Sequence, residues 1–177
     1  GRLGRAVRNW LDDGGYRVKT ETSPEAHFVY VATDELGNPF TIGVASNRPG
    51  LLYIATGLGF GPKALQSMSN LPQLPKGELL AEIKIELARM GLGWQGITIP
   101  PEAWEINYAV RSSTIDQISF RQAVNHVRHG LIAVRQILFK YMRRNETVMP
   151  ETETQAAQAS LPGQESGTED SQIAEVS

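Results

Sequence analysis

Three groups of residues have types and spacings that could do chemistry. The first is the run Gly57-Leu58-Gly59-Phe60-Gly61, followed by Pro62 and Lys63. Glycines between an apolar stretch and a helical pattern can present backbone amides to a phosphate, with a lysine adding charge. On that reading Gly57, Gly59, Gly61 and Lys63 would line a small-molecule or nucleotide site. Pro62 and Lys63 occupy the stretch where a third spaced glycine of a dinucleotide loop belongs, and no Gly-Lys-Ser/Thr follows, so the run departs from both phosphate-binding patterns. A sharp turn at a strand exit accounts for the same glycines.

The second group is His126 and His129, three residues apart on a helical pattern. Two histidines on neighbouring helical positions can face one ion, but a metal site needs a third ligand, and no carboxylate lies between Gln117 and Asn145. No metal site follows, and the pair reads as solvated or interface histidines. No Gly-x-Ser-x-Gly elbow is present, and the acid pairs Asp12-Asp13 and Asp34-Glu35 fall at a helix end and a turn, where acids are common for local reasons. No catalytic residue and no cofactor are therefore assigned.

The third group is the arginine series Arg121, Arg128 and Arg135, seven apart and so nearly in line along a helix. Ile132 and Phe139 lie beside it, outside the main apolar stripe. A helix that is apolar beyond its core face often packs on two sides. Arg121, Arg128, Ile132, Arg135 and Phe139 are the expected interface, meeting a second copy or the acids of a partner peptide.

The elements that would hold these groups follow from periodicity. Leu3, Val7, Trp10 and Leu11 make one helical stripe that stops at Gly14-Gly15. Residues 27–33, 40–45 and 51–56 read as strands joined by short turns, hence an antiparallel meander. Helical pieces are expected at 62–71, after Pro62, and at 77–90, where Leu79, Leu80, Ile83, Leu87 and Met90 share a face. A hairpin is expected from 92–99 and 103–111 around Pro100-Pro101-Glu102, with Trp104, Ile106, Tyr108 and Val110 alternating inward. Residues 118–144 read as a long helix capped at Ser119. The class is α+β, in the order α-βββ-α-α-ββ-α: an antiparallel sheet of about five strands with helices on one face.

All 17 lysines and arginines fall in residues 1–145, against 12 acids, whereas residues 146–177 hold seven acids and no base. The body is thus a mildly basic domain of residues 1–145, too weakly charged for a dedicated nucleic-acid binder. The segment 146–177 is poor in large apolar residues and is expected to be a disordered acidic tail, close enough to the last helix to mask it. The absence of cysteine excludes a thiolate site and fits a reducing cytoplasm. No apolar run is long enough to cross a membrane.

The order of elements, the Asn47-Arg48-Pro49-Gly50 turn before Leu51, Tyr53 and Ile54, and the Ile97/Ile99–Trp104/Ile106 hairpin together resemble the type III secretion chaperone-like superfamily, which includes YbjN-like proteins. The similarity covers residues 3–144, with the helical piece at 62–71 as a departure. It implies a non-enzymatic domain, often homodimeric, that holds an extended segment of another protein. The expected function is therefore a protein-binding or chaperone-like adaptor in the cytoplasm. The alternatives are a small-molecule or nucleotide-binding domain using the glycine run, or a weakly nucleic-acid-associated protein using the last helix.

Overall fold

The computed structural model describes residues 1–145 and 152–155. The elements are α1 (Arg2–Asp13), β1 (Arg17–Glu21), β2 (Ala26–Thr33), β3 (Pro39–Ala45), β4 (Leu51–Phe60), α2 (Pro62–Ser69), α3 (Gln73–Arg89), β5 (Gly93–Gln95), β6 (Trp104–Arg111), α4 (Gln117–Arg144) and β7 (Thr152–Gln155). The main sheet runs β1-β2-β3-β4-β6-β5, with every neighbour antiparallel. The class is α+β, with six strands in this sheet rather than five.

One face of the sheet carries the core. Phe40, Ile42, Val44, Leu52, Ile54, Leu58, Trp104 and Ile106 alternate along their strands and join one buried cluster with residues of all four helices. The helices thus share one side, as the amphipathic stripes require. The seam between β4 and β6 is long, with eight register pairs from Leu51–Arg111 to Leu58–Trp104.

The differences from expectation have local causes. Strand β1 (RVKTE) offers only Val18 to the core, and its charged partners suit an edge strand that must not pair with another chain. Helix α3 starts at Gln73, because Pro75 falls within the first turn, where its missing N–H has no intrahelical partner to lose. The first arm of the hairpin shortens to β5, since Gly96 takes φ +68° and turns the chain out of the ladder. Residues 96–103 form a loop instead, with a cis Ile99–Pro100 bond. The cap of α4 is Asp116 rather than Ser119. The Ser119 amide donates to Asp116 Oδ1 at 2.8 Å while the Asp116 amide donates to Ser119 Oγ at 2.9 Å, a reciprocal capping box.

One further correction concerns function. Strand β4 continues to Phe60, so Gly57 and Leu58 sit in the ladder opposite Glu105 and Trp104. From Gly57 to Phe60 the glycine run is strand, and Gly61 caps α2. The expected disordered tail, residues 146–177, lies outside the described residues apart from Thr152–Gln155. Those four residues form β7 and pair with β4.

Candidate binding surfaces

Helix α4 lies over β4 and β6, and its expected interface is divided by the fold. Arg121 is exposed, beside a hollow of about 340 Å³ lined by Trp10, Tyr16 and Phe120. Ile132 is 43% exposed. Arg128, by contrast, turns inward. Its guanidinium donates to Asn125 Oδ1 at 2.7 Å, to the Tyr16 hydroxyl at 2.8 Å and to Asp34 Oδ2 at 3.3 Å, and its carbon lies 5.4 Å from the Phe40 ring centroid. Arg135 and Phe139 are half-buried, and burial draws the Arg135 pKa below the usual guanidinium value. The arginine stripe is therefore not one continuous outer surface: the flank that carries it leans onto the sheet and the β2–β3 turn.

His126 and His129 separate as well. His126 Nε2 lies 2.6 Å from the Met90 carbonyl oxygen, and its ring meets Tyr108 edge-on at 5.2 Å, so it ties α4 to the end of α3 rather than facing solvent. His129 is exposed. Among the described residues no three His, Asp or Glu side chains converge to hold a metal ion. Gly61 caps α2, with Lys63 in its first turn, whereas Gly57 and Gly59 belong to the ladder with β7. The four glycine-run residues do not form one loop around a phosphate.

The outer groove between α3 and α4 was not apparent from the sequence. It encloses about 640 Å³, with Ala81, Ile85, Ala133 and Ile137 between acidic residues on α3 and Lys140 on α4. Ile85 is 51% exposed. The signal that could have found it was Ile85 itself, an isoleucine among Glu82, Lys84, Glu86 and Arg89 on the wet side of α3.

At one end of the groove Lys140 is ion-paired with Glu82. Lys140 and then the Tyr141 hydroxyl hold the Glu82 carboxyl below the usual range. The hydrogen bond to Glu82, then burial, pushes the Tyr141 phenol from 10.0 up to about 12. The unfolded phenol ionises near 10 and the folded one only near 12, so this contact stabilises fully below pH 10 and is lost as pH rises through the folded value. Stability is expected to fall by on the order of 1–2 kcal/mol across that interval, discounted because Glu82 is a third open to solvent. Urea titrations at pH 9.5 and 11.5 check this, and Tyr141→Phe should remove that share of the fall.

Residues 3–138 match the model of the family described as uncharacterized conserved protein (DUF2299). The chain belongs to this family. The DUF2299 match takes in the sheet β1–β6, helices α1–α3 and most of α4, so the Arg128–Asp34 contact and the groove apart from its Lys140 and Tyr141 end lie within it. No curated protein matches the chain. A crystal structure of an uncharacterized protein from Methanothermobacter thermautotrophicus superposes with a TM-score of 0.69 at 14% identity, covering 80% of this chain and 98% of that one. At that identity the likeness shows a shared fold alone. No helix among the described residues is long and apolar enough to cross a membrane.

Proposed function

We propose that this DUF2299 chain is a non-enzymatic, chaperone-like protein-binding domain of the cytoplasm that works as a homodimer through the α3–α4 groove. One observation carries the reading. Ile85, an exposed isoleucine of α3, lines the groove together with Ile137 and Ala133 of α4. Clustered apolar side chains on a surface of mixed charge are characteristic of contact sites. The walls carry both signs, Glu78, Glu82 and Glu86 against Arg89 and Lys140, which suits a two-fold contact in which each patch meets its own copy.

Light scattering after size exclusion should show a dimer at tens of micromolar. Ile85→Asp should weaken that dimer at least tenfold, because a carboxylate in a closed apolar contact is left without a partner. Circular dichroism should stay unchanged, since the side chain is half-exposed. A wild-type chain that remains monomeric at millimolar concentration would sink the proposal.

A further inference from the structure

Strand β7 occupies a place that the meander leaves open. β3 meets β4 only from Thr41–Ala55 to Gly43–Tyr53. Further along β4, Gly57 to Phe60 pair with Gln155 to Thr152, while Gly57 and Leu58 pair on their other edge with β6. β7 therefore lies on the β3 side of β4, where β3 has ended. A run of strand edge with free amides and carbonyls is a template for adding another strand.

The resident is poorly suited to stay. Residues 151–157 read ETETQAA, with no aromatic or branched aliphatic side chain; only the two threonines favour a strand, and Glu and Ala are among the residues depleted there. For four residues the gain from ladder hydrogen bonds and the loss from ordering are of similar size. What favours occupancy is the tether, because a short link to α4 keeps the segment at high local concentration.

The register also defines what would fit better. Positions opposite Leu58 and Phe60 fall on the core side of the sheet, where Phe60 meets Trp104 edge-on with centroids 4.9 Å apart. Positions opposite Gly57 and Gly59 face a β4 surface without side chains. The resident has only the small, polar Thr154 and Thr152 there, so the best occupant is an extended segment with larger apolar residues, branched aliphatic or aromatic, at the two alternate positions beside Leu58 and Phe60.

We infer that the Gly57–Phe60 edge of β4 is where this domain takes such a segment from another protein, and that Thr152–Gln155 is the resident strand the segment displaces. The inference rests on the protein-binding reading and names the partner's form. The test uses the full chain carrying Glu153→Pro and Thr154→Pro. Successive amides in a strand point in opposite directions, so one of the two prolines removes a ladder donor whichever way the strand faces.

The probe is a synthetic peptide of residues 149–158 with Thr152→Val and Thr154→Val. It should bind the double-proline chain at least tenfold more tightly than the wild type and shift the Gly57 and Gly59 amide resonances. A peptide with valines at 153 and 155 instead should bind more weakly than the in-phase one. Unmoved Gly57 and Gly59 resonances at millimolar peptide, or equal affinity for the two chains, overturn the inference. So does a wild-type dimer that the prolines dissolve, which would assign the edge to a second copy. Absent peptide binding with a dimer that Ile85→Asp disrupts overturns this site alone. Peptide binding by a monomeric wild type overturns the groove alone.

Discussion

Replacing Trp104 with alanine is expected to lower the free energy of unfolding by about 3–5 kcal/mol, the range for deleting a large buried aromatic side chain. Trp104 is 1% exposed. It stands at the start of β6 opposite Leu58, and its ring meets Phe60 edge-on at 4.9 Å. Its indole N–H donates to the Thr98 carbonyl at 3.0 Å, and Thr98 Oγ1 donates in turn to the Pro100 carbonyl at 2.9 Å. Alanine would open a cavity under the 96–103 loop and free that loop at once. Trp104→Phe keeps most of the volume and loses the hydrogen bond, so it should cost only about 1–2 kcal/mol. Urea denaturation of both variants decides the matter. A loss below about 1 kcal/mol for the alanine variant would show that the loop and core do not depend on this ring.

The second large effect concerns Arg128. Arg128→Ala should destabilise the fold by roughly 2–4 kcal/mol and leave the oligomeric state unchanged. The reason is the partner left behind. The Asp34 side chain is only 10% exposed, and its carboxylate also accepts from the Leu36 and Asn38 amides at 3.0 and 2.8 Å and from Asn38 Nδ2 at 3.2 Å. Removing the guanidinium strands a largely buried charge at the β2–β3 turn and uncovers Phe40. A double-mutant cycle with Asp34→Asn should give a coupling of about 1–3 kcal/mol. If Arg128→Ala instead leaves stability intact and weakens association, Arg128 belongs to a partner surface after all.

These two residues also show what could be read in the sequence. Trp104 was legible because the sequence of β6 sets Trp104, Ile106, Tyr108 and Val110 at every second position, and a period of two assigns its face with no knowledge of neighbours. The stripes of α1, α3 and α4 were legible for the same reason, and with them the class of the fold. Arg128 was placed on the correct flank of α4, but its role was not legible. Whether a flanking arginine meets water or a turn depends on where Tyr16 and Asp34 come to lie, more than ninety residues earlier in the chain. Strand β1 escaped because an edge strand with one inward residue carries almost no periodic signal. The glycine run misled because glycine is equally at home in a turn and in a strand, and only the pairing with Glu105 and Trp104 separates the two. Strand β7 could not be foreseen, since two threonines among polar residues make no apolar alternation and the edge of β4 supplies the template.

The β4–β6 seam has a consequence for how the chain finds its structure. β1 to β4 are joined by short turns, so their pairings close small loops quickly. The seam instead joins strands separated by α2, α3, β5 and the 96–103 loop, and its eight pairs give no return until that long excursion has been gathered in. Closure of this seam should therefore set the pace of folding. The central amides of β4, flanked on both edges, should exchange their protons with water only when the whole molecule opens.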